Sequence, residues 1–547
     1  MVPEFVFNEF KKALQANGIE DTTKLRFEEP KNPEFGDYAT SIALILSKEL
    51  RKNPREIAYS IVEKLNFDNN LVEKVTIDGP GFINLKLTNY FYAQELERIY
   101  KTGEEFGKTN LGKGLRANVE YVSANPTGLL HLGHGRNACI GDSIANLYSW
   151  MGYDVTREYY FNNAGKQMTN LARSIYARYR QLLGETQFPF PEDGYFGDYI
   201  KDIAQELIEK YGNSLVPETS ENLEICKKFG EEWCFDKIRK TLAKLKIFHD
   251  IFFNEDSLYR DKKIDEVVAI FREKGLAYEK DGALWLALTK LGLNEDRVIV
   301  KSTGEPTYRL PDIVYHREKF LRGYDLIIDI FGADHIATVP DVLAGIRALG
   351  YDDKRVKVVI HQFVTLMENG VQVKMSKRSG RSYTLDELIE EVGPDVVRFF
   401  FLMRSVSSHL EFDLNLAREH SEKNPVFYLQ YAYARICSIF DTARDRDIEF
   451  DENTPTECLN LPQEINLIKL QRLFPEIIET SALKFEPQIL ADYLYDVAKA
   501  FHTFYHDCRI IGSPEPILSA RFKLARVTQW ILKNGLTILG VSAPERM

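Results

Sequence analysis

From Leu115 to about Arg404 the chain changes its hydrophobic period again and again. Short β-rich runs ("ANVEYV", "DVTREYYF", "DLIIDIFGAD", "VKVVIHQFV") alternate with helical stretches such as "NACIGDSIANLYSWMG" and "VPDVLAGIRALG". That alternation calls for a parallel sheet covered by helices, with the ligand crevice outside the carboxyl ends of the strands. Within it, about 166–295 is mostly helical and charged ("DYIKDIAQELIEKYG", "ENLEICKKFGEEWCFDKIRKTLAKL") and reads as an insertion between two halves of the sheet. Residues 1–110 mix helical periodicity with strand-like pieces, an α+β module, and "FGKTNLGKG" reads as a Gly-rich linker into the unit at 111–404. Residues 405–547 are helical with i, i+3/i+4 apolar spacing and read as an all-α bundle.

Composition narrows the class. No apolar stretch reaches the roughly 20 residues that span a bilayer, and "VVRFFFLM" is interrupted by Arg398. Glu4 and Glu9 stand where a signal peptide would be basic and then apolar, so a cytoplasmic protein with no membrane partner is expected. The six cysteines are scattered without C-x-x-C spacing, which predicts neither disulfides nor structural zinc. A net charge of −11 argues against coating nucleic acid non-specifically but leaves a local basic face open. No coiled coil or dimerisation element stands out, so a monomer is the default.

Two motifs carry chemistry. In "NPTGLLHLGHGR", Asn125 to Arg136, a strand ends and a helix is predicted to begin near Gly135. His131 to His134 then lie at the first crossover, where free N–H groups and the positive end of a helix dipole suit a phosphate. The alternative is a Gly-rich turn with two partly exposed histidines. In "VKMSKRSGRS", Lys374, Lys377, Arg378 and Arg381 share a loop with small residues. Several cations there suit a polyphosphate whose charge redistributes during reaction, although a lone K-x-x-K-R is better explained by a solvated basic loop.

The pairing of these motifs resembles the class I aminoacyl-tRNA synthetases, and the flanks narrow the resemblance to arginyl-tRNA synthetases. "FGDYATSIALILSKEL" and "GPGFINLKL" are similar to that family's additional N-terminal domain. "VEYVSANPTGLLHLGHGRNACIGDSIANLYSWMGYDVTREYYFNNAG" is similar to its first nucleotide-binding half. "FGADH", "VKMSKRSG" and "VGPDVVRFFFLMRS" are similar to its second half, and "NPVFYLQYAYARI" and "LKNGLTILGV" to its anticodon-binding helices. The family often shows His where Tyr433 stands.

The resemblance implies a Rossmann-like parallel-sheet catalytic domain with a helical insertion, an N-terminal α+β domain and a C-terminal helical bundle. It implies ATP-dependent formation of arginyl-adenylate from L-arginine and transfer to the terminal adenosine of tRNA(Arg), with Mg2+ carried by the nucleotide. In that reading His131, Gly133 and His134 bind ATP, and Lys374, Ser376 and Lys377 close on its β- and γ-phosphates. Gly332, Asp334 and His335 complete the adenosine pocket; "GADH" alone is equally an ordinary strand-to-helix loop. Glu120, Ser123 and Asn125 help hold the amino acid's charged groups, and Tyr308 and Asp312 frame the guanidinium. Taken by itself, Asp312 after Pro311 reads as a helix-start carboxylate. Tyr428, Tyr431, Tyr433 and Arg435 are candidates to stack on unpaired tRNA bases, although at least half of such a stripe belongs to a core. A pantothenate-synthetase-like ligase leaves both end domains surplus, another class I synthetase lacks its own signatures here, and a non-catalytic tRNA-binding paralogue would have lost the His or Lys pairs.

Overall fold

The computed structural model describes residues 2–373 and 383–547. Its centre is a five-stranded sheet, and all of its pairings are parallel. We label its strands β1 (Arg116–Glu120), β2 (Asp154–Phe161), β3 (Ile251–Asn254), β4 (Leu326–Gly332) and β5 (Val356–His361). The order across the sheet is β5-β4-β1-β2-β3. The chain therefore winds outward from β1 in one direction, then restarts beside it with β4. Neighbouring crossovers leave β1 and β4 toward opposite edges, and the gap beyond their carboxyl ends is the switch-point crevice of such sheets.

β1 lies innermost, and Ala117, Val119, Ile327 and Ile328 are each fully buried. Apolar runs rather than alternation mark these strands because helices cover both faces. The crossover from β1 to β2 is helix α1 (Leu132–Trp150); β4 is preceded by α2 (Arg309–Leu321) and followed by α3 (Val339–Leu349). α1 lies so close over β1 that a Cβ at Gly141 would sit 2.3 Å from the Tyr121 side chain, which explains glycine in mid-helix.

The span read as a helical insertion contains helices Gly165–Leu182, Tyr199–Tyr211 and Ser220–Lys244, around their own core of Leu171, Ile175, Ile203 and Leu207. It differs from the sequence reading in two ways. The chain returns to the central sheet inside that span, as β3, and an antiparallel sheet (Ala277–Lys280, Ala283–Leu286, Arg297–Val300) follows. Each of these strands has four residues, too few to show a period against a helical background.

The N-terminal module has an antiparallel sheet (Tyr38–Thr40, Phe82–Leu87, Val72–Asp78) backed by helices. Its last helix, Asn89–Thr102, docks on the C-terminal bundle. There Thr456 Oγ1 donates to the Ala93 carbonyl at 3.0 Å, and the buried Lys523 ammonium lies 2.9 Å from Glu97. The Gly-rich linker is also fixed, with Gly112 N–H donating to Met151 O at 2.8 Å and Gly114 N–H to Gly152 O at 2.9 Å.

The bundle comprises helices Pro425–Asp445, Pro462–Gln471, Phe474–Leu483, Pro487–Asp507 and Ile517–Ile538. One buried side chain ties it to the parallel-sheet unit. Arg398 bonds Asp142 on α1 at 2.6 Å, the Leu245 carbonyl at 2.7 Å and the Leu539 carbonyl at 2.9 Å. The arginine in the apolar run "VVRFFFLM" is thus a three-way clamp. No helix among the described residues is long and apolar enough to cross a membrane.

Candidate active site

The chain leaves β1 through a strained turn. Val122 and Ser123 have φ of 69° and 43°, the left-handed region that a β-branched valine avoids. Neighbours over-determine the turn: Val122 N–H donates to Asn137 Oδ1 at 2.6 Å, and Tyr159 OH donates to the Ala124 carbonyl at 2.7 Å. Strain held this way is characteristic of sites where side chains must be aimed. Here it turns Ser123 back so that its hydroxyl donates to Glu120 Oε1 at 3.0 Å. Asn125 is fixed by accepting from Asn162 N–H at 3.0 Å and donating to Gln167 at 2.9 Å.

α1 begins at Leu132, three residues before the expected start at Gly135, because an imidazole does the capping. His131 Nδ1 accepts from the N–H groups of Gly133 at 3.1 Å and His134 at 3.4 Å. His134 Nδ1 accepts in turn from His131 N–H at 3.3 Å, and the two rings stack with centroids 3.7 Å apart. An accepting Nδ1 leaves the ring proton on Nε2, so each neutral imidazole offers one N–H donor beside the helix N-terminus. Burial, with His131 and His361 nearby, pushes His134 down to about 3, so it stays neutral at physiological pH. A Cβ at Gly133 would meet the His131 ring at 3.0 Å, and one at Gly135 would meet Leu385 at 2.6 Å. The first glycine makes room for the cap, and the second lets the helix after the basic loop approach.

Across the switch point, Gly332 ends β4 and Ala333–His335 form a 3-10 turn. Asp334 and His335 are mostly exposed, 3.7 Å apart, and the His335 ring packs on Phe331 at 5.4 Å. Asn137, a residue that the sequence did not single out, stitches this side to the β1 exit. Its Oδ1 holds Val122, and its Nδ2 donates to the Ile330 carbonyl at 2.8 Å and lies 3.2 Å from His361 Nε2. Burial lowers His361 to about 4.

Lys374, Ser376 and Lys377 lie outside the described residues. The chain on either side of them is anchored. Val373 N–H donates to Leu366 O at 2.9 Å, Leu385 N–H donates to Leu130 O at 2.9 Å, and Thr384 forms a β-bridge with His131. The segment that follows the basic loop is therefore joined to the histidine motif itself.

Behind the histidines α2 turns a polar stripe onto the sheet: Asp312, His316, Lys319 and Arg322 at i, i+4 and i+3 spacing. Lys319 reaches Glu120 and Asp329, each at 2.6 Å; Arg322 forks onto Glu158 at 2.7 and 2.8 Å. Tyr315 OH donates to Glu158 at 2.8 Å. Asp312 differs from the rest. Its carboxylate has no hydrogen-bond or ion-pair partner among the described residues: it stands in the first turn of α2, where a helix-start acid belongs, but makes no cap hydrogen bond. Burial, reinforced by Glu120, Glu255 and Asp329 and opposed by His316, pushes it up to about 7. Tyr308, one turn earlier on the same helix face, is 82% exposed at the rim. Glu255, just after β3, is a further acid that sequence reasoning missed. It is buried and accepts from Tyr160 OH at 2.6 Å and Tyr259 OH at 3.2 Å. Its only sequence signal was an acidic residue after a four-residue strand, which is no signal at all.

On the bundle, the aromatic stripe divides. Tyr433 is buried at 5% exposure and belongs to the core. Tyr428 packs with Tyr495 at 5.0 Å and His502 at 4.8 Å. Arg435 lies 4.6 Å over the Tyr431 ring, bonds its hydroxyl and lies 5.0 Å over Tyr505. Among the described residues no group of three or more His, Cys, Asp or Glu side chains is arranged to hold a metal.

Comparison with known proteins decides the family. The family model "tRNA synthetases class I (R), catalytic domain" matches residues 97–397. "Arginyl tRNA synthetase N terminal domain" matches 5–87, and "DALR anticodon binding domain" matches 429–547. The chain belongs to the arginyl-tRNA synthetase family. Two curated relatives are the arginine--tRNA ligases of Salinibacter ruber, 47% identical, and Prosthecochloris aestuarii, 48% identical, each alignment covering all of both chains. Thermus thermophilus arginyl-tRNA synthetase, 21% identical, superposes over both whole chains with a TM-score of 0.79 and shares the fold. The arginyl-tRNA synthetase matches run in the same order as the three structural units: N-terminal sheet module, parallel-sheet unit and helical bundle.

Proposed function

We propose that the crevice beyond β1 and β4 joins L-arginine to ATP and then passes it to the 3'-terminal adenosine of tRNA(Arg), which makes the chain an arginine–tRNA ligase. The observation that carries this reading is the Asp312 carboxylate, unpartnered among the described residues and held beside Glu120 and Glu255. A buried acid without a cation is costly, and a guanidinium is the side chain whose planar fork best completes it.

Glu120, Ser123 and Asn125 orient the charged groups of the amino acid; Asp312 takes the guanidinium, with Tyr308 closing over it from the rim. One oxygen of the arginine carboxylate attacks the α-phosphorus of ATP in line, and the bond to the bridging oxygen breaks as pyrophosphate leaves. A terminal ribose hydroxyl then attacks the arginyl carbonyl and AMP departs. The protein positions the reactants and stabilises spreading negative charge. The Nε2–H groups of His131 and His134 and the start of α1 face the phosphates, Gly332, Asp334 and His335 face the adenosine, and Lys374, Ser376 and Lys377 close on the leaving pyrophosphate. Mg2+ arrives with the nucleotide and neutralises it. Tyr428, Tyr431 and Arg435 meet anticodon bases in this reading. The division into residues 1–110, 111–404 and 405–547, a monomeric state and a cytoplasmic location complete the proposal.

The test is amino-acid-dependent ATP–pyrophosphate exchange and charging of bulk tRNA, with each of the twenty amino acids, with and without tRNA. Arginine alone should support both, and exchange should require tRNA. Charging with another amino acid, or none at all, overturns the reading.

A further inference from the structure

We propose that Lys319, which does not reach the substrate, is a positioning residue that keeps Glu120 ionised and aimed into the amino-acid pocket. The inference rests on the arginine-pocket reading above and concerns a residue that this reading does not use. Lys319 is fully buried, with its ammonium 2.6 Å from Glu120 Oε2, 2.6 Å from Asp329 Oδ1 and 4.4 Å from the centre of the Tyr315 ring. Ser123 OH occupies the other Glu120 oxygen. The second Asp329 oxygen lies 2.9 Å from His316 Nε2, and His316 Nδ1 lies 2.7 Å from the Asp312 backbone carbonyl. A continuous polar chain thus runs Glu120–Lys319–Asp329–His316–Asp312, and its two ends are the two carboxylate residues proposed to hold the substrate.

A buried ion pair is poor evidence for stability, because well-packed apolar groups do as well. This one has a different use. Around Glu120 stand Asp312, Tyr315, His316 and Lys319 from α2, Asp329 from β4, and Glu158 and Tyr160 from β2, with Glu255 after β3 facing Asp312 and Tyr160. Arg322 is committed to Glu158 and His316 Nε2 lies against Asp329, so Lys319 is, among the described residues, the cation within hydrogen-bond reach of Glu120. Burial drives Glu120 toward its neutral form and leaves its carboxyl raised above the usual range; Lys319 is the strongest influence that opposes that drive. Without the ammonium two buried carboxylates would face each other, and one would take a proton. A protonated Glu120 could still pack, but it would not hold a cationic ligand.

The experiment compares the full-length wild type with Lys319→Met, both with tRNA present. The KM for arginine should rise roughly 10- to 100-fold, the worth of one charge-assisted hydrogen bond, while the KM for ATP stays within about twofold. The acid limb of log kcat/KM for arginine should steepen from one ionisation, that of Asp312, toward two as Glu120 begins to titrate. A folded Lys319→Met protein with wild-type arginine KM and a one-proton acid limb overturns the proposal, because a merely structural lysine would change only the melting temperature.

Wild-type calorimetry decides the matter if the variant does not fold. At about pH 8, arginine binding in two buffers of different ionisation enthalpy should exchange well under half a proton, since Glu120 is already charged. Release of about one proton overturns the proposal. Wild-type protein that neither binds nor activates arginine is a separate outcome: it removes the pocket reading and this inference with it.

Discussion

Asp312→Asn keeps the shape of a side chain and removes only its charge. The folded protein raises this carboxyl from 3.8 to about 7, first by burial and then through its acidic neighbours. The folded value lies above the unfolded one, so the native state holds the proton more tightly. Its stabilising preference is complete below about pH 4, declines as pH rises, and has turned into a full cost above about pH 7. At about 1.4 kcal/mol per pH unit the cost reaches a ceiling of about 4 kcal/mol, and partial contact with solvent at the cleft brings it to roughly 2–3 kcal/mol. A bound guanidinium reverses that cost and adds paired, charge-assisted hydrogen bonds; the amide cannot reproduce them. In the empty enzyme the variant should therefore melt higher than wild type, by more at pH 8 than at pH 5. In steady-state exchange its kcat/KM for arginine should fall about 10²–10³-fold, equivalent to ~3–4 kcal/mol, with the KM for ATP nearly unchanged. Lysine should not replace arginine, because a point charge does not fill the planar fork's place. Unchanged arginine kinetics would make Asp312 a bystander at the helix start. A lower melting temperature at pH 8 would refute the burial argument.

His134→Ala, like Lys377→Ala, should slow pyrophosphate exchange by about 10²–10³-fold, the usual loss for one donor aimed at transition-state charge, with tRNA binding retained in filter assays; near-wild-type exchange in both would refute the phosphate assignment. Arg398→Met strips buried Asp142 of its nearest cation, leaving it Arg157 at 3.8 Å and the Asn146 amide at 3.3 Å, and should cost about 3 kcal/mol, read by calorimetry as a lower melting temperature. An unchanged melt would show that the three-way clamp is ornamental.

The parallel sheet was legible because its strands are short apolar runs separated by amphipathic helices, a pattern with few other solutions. Its edge strand Ile251–Asn254 and the sheet at 277–300 were not, because four residues cannot display a period. The helix start after the histidine motif was misplaced for a chemical reason. Caps are ordinarily Ser, Thr, Asp or Asn, and an imidazole accepting two backbone N–H groups gives no such signal. His131 and His134 stood out because paired imidazoles set against glycines are unusual at a strand end, whereas Gly332 and Asp312, ordinary by themselves, stood out only through the family resemblance. Asn137, Glu255 and Lys319 did not, since a polar residue within a helix or after a short strand looks solvated until a partner from elsewhere meets it. Tyr433 shows the converse: helical spacing put it in the aromatic stripe, but only packing could tell a core tyrosine from its half-buried neighbours.

Helix Asn89–Thr102 follows the N-terminal sheet in the chain but spends its buried face on the bundle more than three hundred residues away. A cut at residue 110, natural by sequence, would strip Lys523, 1% exposed in the whole chain, of both Glu97 and the Tyr100 ring that packs on it. The two ends of the polypeptide are thus one mechanical body with the catalytic sheet threaded between them. Any rotation of the bundle must carry the N-terminal module along, so a tRNA held by both would feel one rigid frame rather than two independent hands.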